Sequence, residues 1–242
     1  MRETAAPTDE AVTRYAFVYG VRRTRQTLAD WQSDPWPAVR RWYAGGMLAA
    51  VALLGATWLF ATLEARHGYN VQTIAPPFAV GDLANVATIL SKNLLVLALH
   101  AMACVAGFIA GSSLPLQAQQ HRGISRTIHE HGGKVAIVFV IAATTFSLSA
   151  QAVVLGGETA AVASHLHTTP AALLVVLLPH ALIELTALFL PLAAWIIASR
   201  RGDWDQLLAA TVVTVALALP MLVVAALIEV YVSPHLVAPH AR

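Results

Sequence analysis

Four ionisable side chains occur inside strongly apolar runs, where lipid or a dry protein core would surround them. His180 and Glu184 lie in LLPHALIELTALFLP (177–191), Glu229 lies in the last apolar run, and His100 lies in the second. An ionisable group inside a membrane is costly and by default indicates a function or a specific partner. His180 and Glu184 are four residues apart, so on a helix both project from the same face.

Three kinds of chemistry fit these residue types, and the sequence leaves all three open. His180, Glu184 and Glu229 can form a clamp that ties two helices together. The same groups can bind a proton, a cation or a small solute on a transport pathway. With His100 as a further ligand, they can hold zinc or iron in an intramembrane metalloenzyme. No HExxH motif or comparable signature is present, and the sequence identifies neither a catalytic residue nor an organic cofactor.

Two prolines stand close to these polar positions. Pro179 precedes His180 directly, and Pro220 lies nine residues before Glu229. Proline has no N–H, so each leaves a backbone carbonyl one turn earlier without its helical donor. Exposed carbonyl oxygens beside carboxylates are typical of ion sites within membranes. We therefore predict structural roles for Pro179 and Pro220.

The elements that must position these residues are predicted to be membrane-spanning helices. Hydrophobic residues make up 57% of the 242-residue chain and charged residues 12%, with a mean hydropathy of +0.65, whereas soluble domains average about 25% charged residues. A helix needs ~20 apolar residues to cross a bilayer. Five stretches reach that length: 42–63, 92–111, 134–156, 170–199 and 207–233. The fold class predicted is an all-α, polytopic helical bundle in a lipid bilayer.

The distribution of basic residues predicts the orientation of this bundle. Twelve of the 15 Lys and Arg residues fall in the N-terminal segment and in the loops after the second and fourth spans. Basic residues favour the cytoplasmic side, so the N-terminus is predicted inside and the C-terminus outside. We predict a basic amphipathic cytoplasmic or interfacial segment at 1–41 and a five-span domain at 42–242, in the inner (plasma) membrane. Clustered arginines at a membrane edge argue against a nucleic-acid partner.

The sequence does not decide the oligomeric state, nor whether the fourth span is one helix or two. Gly107 and Gly111 form a GxxxG motif, which lets helices approach closely and favours a homo-oligomer such as a dimer, or contact with other membrane proteins. Residues 170–199 contain Pro179 and Pro191, so they fit either one kinked helix or two short ones.

Three segments resemble the stage II sporulation protein M family. PHALIEL (179–185) is similar to its Pro-His-Gly-x-x-Glu-Leu signature, and LIEVYVSP (227–234) to its Ile-Glu-x-x-x-Thr-Pro stretch. KNLLVLALHAMACVAGFIAG (92–111) resembles a family segment that opens with asparagine. The family's polar positions fall on Asn93, His180, Glu184, Glu229 and Pro234. Ala181 departs from the pattern, where the family has glycine, and Ser233 stands in place of threonine.

This resemblance implies an inner-membrane protein with about five spans. In spore-forming bacteria the family works with partner membrane proteins that degrade peptidoglycan during engulfment, and its members also occur in organisms that do not sporulate. We therefore expect a non-catalytic component of a cell-envelope membrane complex. A transporter or channel-like unit and a metalloenzyme are the alternatives.

Overall fold

The computed structural model describes residues 9–67, 82–113 and 124–237; these ranges are helical except for short turns and contain no strand. Seven α-helices follow one another in the described ranges: α1 (Asp9–Ser33), α2 (Trp36–His67), α3 (Leu83–Phe108), α4 (Ile124–His165), α5 (Pro170–Arg201), α6 (Leu207–Leu227) and α7 (Ser233–Val237). A π-helix at Ile109–Ser113 extends α3, and another at Ile228–Val232 joins α6 to α7. A short 3-10 helix, Trp204–Gln206, precedes α6.

Five helical segments are long and apolar enough to cross a membrane, which confirms the predicted all-α bundle of five spans. Four of them belong to α2, α3, α4 and α5, and the fifth is the continuous segment Trp204–Val237. Residues 170–199 lie within the single helix α5, although Pro179 and Pro191 are inside it. Helix α2 begins at Trp36, so the boundary predicted after residue 41 falls within a helix.

Local sequence signals set both ends of α5. The Thr169 side chain caps the N-terminus by accepting a hydrogen bond from the backbone N–H of Ala172 at 3.2 Å. Pro170 occupies the first turn, where its missing N–H has no helical acceptor to lose. Gly202 ends the helix with φ of 75°, a left-handed conformation that costs glycine little. These signals fix the position of the polar residues along the helix.

Helix α5 is the centre of the bundle. Residues 186–195 are all buried, so this part of the helix is surrounded by other helices. Helix α2 approaches it through two glycines: a Cβ on Gly45 would lie 2.9 Å from Ala193 Cβ, and one on Gly46 would lie 3.0 Å from the Thr186 carbonyl oxygen. Small residues permit such close packing between membrane helices.

The GxxxG motif of α3 packs within the chain. A Cβ on Gly107 would lie 2.6 Å from Trp195 Nε1, and one on Gly111 would overlap the ring of Trp204. Both glycines therefore accommodate tryptophans of the same chain, so this face is not available to a second copy. Homo-oligomerisation stays a prediction without the support of this motif.

Helix α4 is the outermost span. Only 6% of its most apolar window is buried inside the bundle, and Phe146 is 76% exposed. It meets α2 at Gly156, where an added Cβ would lie 2.5 Å from Phe60 Cβ and 3.1 Å from the backbone nitrogen of Ala61. Its exposed apolar side chains, such as Phe146, are free to face lipid.

Helix α1 docks against the end of the bundle where α5 ends and α6 begins. Arg23 donates hydrogen bonds from Nε (2.9 Å) and from Nη2 to Asp205 Oδ2, and this carboxylate raises the pKa of the guanidinium above its ordinary value. The rings of Trp31 and Trp42 meet edge to face, with centroids 5.0 Å apart. Gly20 brings α1 close to Phe108, since a Cβ there would lie 3.1 Å from Phe108 Cζ.

We predict that Arg23→Gln loosens α1 from the bundle. Both partners are partly exposed, so the contact depends on charge and is weakened by salt. Limited chymotrypsin digestion should therefore cut α1 faster in the variant than in the wild type, and the difference should shrink in high salt.

Arg22→Gln is the matched control, because it removes the neighbouring charge without touching Asp205. Asp205→Asn should reproduce the Arg23→Gln result, and the double variant should add nothing further. Equal cleavage rates in the Arg22 and Arg23 variants would show that this ion pair does not hold the helix.

Candidate functional site

A polar cavity of about 340 Å³ lies between α2, α3, α4, α5 and the π-helix Ile228–Val232. Thr57 in its wall is about 30 Å along α2 from Trp36 at ~1.5 Å per residue, so the cavity is in the half of the bundle remote from α1. We call it the polar cavity. Its polar lining consists of Thr57, Lys92, Asn93, Thr159, His180, Glu184 and Glu229. The structure thus brings together four of the predicted positions, Asn93, His180, Glu184 and Glu229.

Helix α5 contributes His180 and Glu184, and their spacing of one helical turn places both in the wall of the polar cavity. His180 is fixed by a neighbour that the sequence did not identify. Its Nδ1 lies 2.8 Å from the hydroxyl oxygen of Ser233, and both side chains are buried. His180 is therefore a bridge between α5 and α7.

Glu229 lies in a π-helix and in the wall of the polar cavity. The backbone N–H of Ser233 donates to the carbonyl of Ile228, five residues earlier, and the Ser233 hydroxyl lies 3.3 Å from the same oxygen. Pro234 follows directly, and a proline ring clashes with the carbonyl four residues before it in a regular α-helix. The wider π-turn relieves that clash and rotates the following residues about the axis. π-turns of this kind are frequent at functional sites.

Two buried polar atoms beside the cavity have no hydrogen-bond partner among the described residues. They are Nδ2 of Asn93, a side chain 8% exposed, and Oγ1 of Thr57, a side chain 2% exposed. Asn93 is close enough to Glu184 for the two side chains to interact, but in this arrangement its amide nitrogen is outside the distance and angle of a hydrogen bond. Leaving a buried donor or acceptor unpaired costs about 1–3 kcal/mol. A water, an ion or a polar group of a ligand in the cavity would satisfy both atoms.

The charged residues of the cavity form a short series. Glu184 and Glu229 are close enough for their charges to interact, and Lys92 interacts with Glu229. Lys92 is exposed, whereas the two glutamates are partly buried. With both carboxylates ionised, the single ammonium leaves a net negative charge in the cavity.

His100 is apart from this group. It is not among the residues that line the polar cavity; its ring packs against Phe189 with centroids 5.6 Å apart. In the part of the chain that the structure describes, no three His, Cys, Asp or Glu side chains could hold a metal ion together. The zinc or iron hypothesis, with His180, Glu184, Glu229 and His100 as ligands, therefore has no ligand set in this arrangement, and metal binding stays a prediction.

The predicted prolines lie inside continuous helices. Pro179 is within α5, Pro220 is within α6, and both helices continue past them. Each removes one backbone donor without breaking its helix. Pro234 is the second residue of α7.

We predict that His180 and Ser233 stabilise the bundle jointly. In a double-mutant cycle with His180→Leu and Ser233→Ala, the coupling between them should be about 0.5–1.5 kcal/mol, the usual contribution of one hydrogen bond. The stability of the wild type, the two single variants and the double variant is measured by thermal unfolding in detergent. Additive effects of the two substitutions would mean that the 2.8 Å contact contributes nothing to stability.

Comparison with known families connects this geometry to the resemblance seen in the sequence. The family model for stage II sporulation protein M matches residues 135–234. This match supports a SpoIIM-like protein. No curated protein and no solved structure matches it.

The match divides the polar cavity of this SpoIIM-like protein into two parts. His180, Glu184 and Glu229 lie inside the matched range, together with the Ser233 bridge. Asn93 lies outside it, so the resemblance at residues 92–111 stays a prediction. The geometry nevertheless places Asn93 and its neighbour Lys92 in the same cavity wall.

Proposed function

We propose that this SpoIIM-like protein binds a small cation in the polar cavity and acts as a transport unit of the inner (plasma) membrane. The observation that supports the proposal is a cavity between apolar helices, lined by two carboxylates and bordered by buried atoms that have no partner among the described residues. A bundle held together by a His–Glu clamp needs no such space. Its volume of about 340 Å³ falls at the lower end of the range of roughly 300–1,000 Å³ for ligand sites.

The donor and acceptor groups of the cavity favour a cation over an anion. Glu184 and Glu229 supply carboxylate oxygens, and the hydroxyl of Thr57 supplies a further acceptor. Lys92 is near enough to Glu229 for their opposite charges to attract, and it stands at an exposed position. A cation in the cavity then pairs with Glu184. Side chains alone supply these groups, so the site forms although α5 is an unbroken helix.

The placement of basic residues supports an orientation with the N-terminus in the cytoplasm. Arg23, Arg41, Arg200 and Arg201 belong to α1, the start of α2 and the end of α5, all at the α1 end of the bundle. Basic residues favour the cytoplasmic side of a membrane. The polar cavity then lies in the outer half of the bilayer.

Flux into proteoliposomes tests the proposal. Vesicles with the purified full chain are assayed separately with sodium, potassium, ammonium and methylammonium, and with a pH-sensitive dye for protons. At least one of these cations should enter faster than in protein-free vesicles. Rates equal to those of protein-free vesicles for all five would contradict a transport role.

A scaffold in a cell-envelope complex is the second candidate function. The observation that favours it is the outer position of α4, whose apolar window is only 6% buried. That face can pack against another membrane protein or a second copy of the chain as well as against lipid. A scaffold would work without cation flux, and its polar cavity would hold only water.

A further inference from the structure

A second, smaller pocket lies at the α1 end of the bundle. It has a volume of about 50 Å³ and is formed where the start of α2, the end of α5 and the 3-10 helix Trp204–Gln206 meet. Its aromatic and polar lining comprises Trp31, Arg41, Trp42, Arg201, Asp203 and Gln206. We call it the arginine pocket.

The two arginines of this pocket have no hydrogen-bond or ion-pair partner among the described residues, unlike Arg23, which pairs with Asp205. Arg41 comes from α2 and Arg201 from α5, so helices distant in sequence bring two guanidinium groups to one pocket. The lining holds one carboxylate, that of Asp203. Two guanidiniums and one carboxylate leave the pocket with a net positive charge.

The chemistry of the arginine pocket fits a phosphate group. A guanidinium presents parallel N–H donors that match two oxygens of a phosphate, and the amide of Gln206 adds another donor. A volume of about 50 Å³ has room for a phosphate group. Trp31 and Trp42 are in the wall, and tryptophan is enriched at the level of lipid headgroups.

We propose that Arg41 and Arg201 bind a phosphate group, supplied by the headgroup of an anionic phospholipid at the edge of the bilayer. The phosphate occupies the arginine pocket, and the acyl chains lie along the surface of the bundle. Because Trp31 of α1 and Trp42 of α2 both border the pocket, the bound headgroup strengthens the contact between α1 and the spans.

Neighbouring arginines provide a matched control. Arg40 and Arg200 directly precede Arg41 and Arg201 on the same two helices, but neither lines the arginine pocket. A general attraction between basic residues and anionic lipid would depend on all four equally. A built site depends on Arg41 and Arg201 alone.

The experiment compares R41Q/R201Q with R40Q/R200Q in the full-length protein. Protein extracted from vesicles of phosphatidylglycerol and phosphatidylcholine is examined by native mass spectrometry for retained lipid. R41Q/R201Q should retain phosphatidylglycerol roughly tenfold more weakly than wild type, because charge-assisted bonds to phosphate are lost, whereas R40Q/R200Q should retain it like wild type. Equal loss in both double variants, or no loss in R41Q/R201Q, would overturn the proposal.

Two further measurements distinguish a lipid headgroup from free phosphate and address the case in which R41Q/R201Q does not fold. In phosphatidylcholine nanodiscs, inorganic phosphate is titrated while tryptophan fluorescence is followed. One combined result would overturn the lipid and identify free phosphate as the ligand. In that case the fluorescence response to phosphate requires Arg41 and Arg201, but R41Q/R201Q retains phosphatidylglycerol like wild type. If R41Q/R201Q unfolds, R41K/R201K keeps the charge but loses the planar fork, and intermediate lipid retention is then expected; retention at the wild-type level would contradict binding by the guanidinium groups.

Discussion

Glu184→Gln is expected to lower cation flux by at least about tenfold, the factor that corresponds to 1.4 kcal/mol. A unit charge about 4 Å from a carboxylate gains roughly 4 kcal/mol at an effective dielectric constant of 20. Part of that gain is offset by removing both charges from water. Glutamine keeps the shape of the side chain and removes its charge, so flux measured in proteoliposomes reports the charge alone.

The folded state of this variant decides between the two candidate functions. Glu184 and Glu229 are close enough to repel each other when both are ionised, so removing one charge should leave the yield of folded protein unchanged or improve it. A scaffold that uses Glu184 as a structural clamp should instead lose folded yield. Normal folding with lost flux supports transport, and poor folding supports the clamp.

Glu158→Gln is the matched control for this measurement. Glu158 is an exposed carboxylate on α4 that does not line the polar cavity, although its neighbour Thr159 does. Its replacement should leave flux unchanged. A similar fall in flux for the Glu158 and Glu184 variants would mean that net charge, and not the cavity, controls cation entry.

The sequence predicted the main acidic part of the cavity because helical spacing carries that information. A four-residue separation places His180 and Glu184 on one face of a helix. The strongly apolar sequence around them predicts that this helix lies inside the membrane. The partners of these residues were harder to predict. Ser233 contacts His180 from 53 positions further along the chain, and only the packing of α7 against α5 brings them together.

Lys92, Thr57 and Thr159 escaped prediction for different physical reasons. Lys92 stands at the start of a span, where lysine usually serves as a topological signal. Threonines in apolar helices commonly bond to the carbonyl of the preceding turn, as Thr214 does to Ala210, so their presence carries no information about a cavity. The π-helix around Glu229 has no hydrophobic period of its own, and Pro234 was the nearest sequence signal.

The docking of α1 also depends on tertiary contacts that its own sequence does not reveal. An amphipathic basic segment predicts an interface with lipid as readily as one with protein. In the structure, Arg23 of this segment contacts protein, because Asp205 of the 3-10 helix lies within hydrogen-bond distance of it. The pairing joins residues separated by 182 positions.

Gly156→Ala is expected to destabilise the protein by on the order of 1–3 kcal/mol, the usual cost of forcing extra atoms into a well-packed contact. An added Cβ would lie 2.5 Å from Phe60 Cβ and 3.1 Å from the backbone nitrogen of Ala61. A backbone atom cannot rotate away, so α4 must separate from α2. These two helices supply Thr57 and Thr159 to the polar cavity, and their separation should widen it. Thermal unfolding and cation flux are measured on the same preparation.

Gly157→Ala is the matched control, and we expect it to change stability in the opposite direction from Gly156→Ala. The comparison separates the loss of the α4–α2 contact from the gain in helix propensity that both substitutions share. A Cβ at Gly157 meets no described atom within 4 Å, and alanine is favoured over glycine inside a helix by about 1 kcal/mol. Gly157→Ala should therefore leave stability unchanged or raise it, while its neighbour lowers it. If both substitutions stabilise the protein equally, α4 is not held against α2 at Gly156, and the wall of the polar cavity that they share has a different structure.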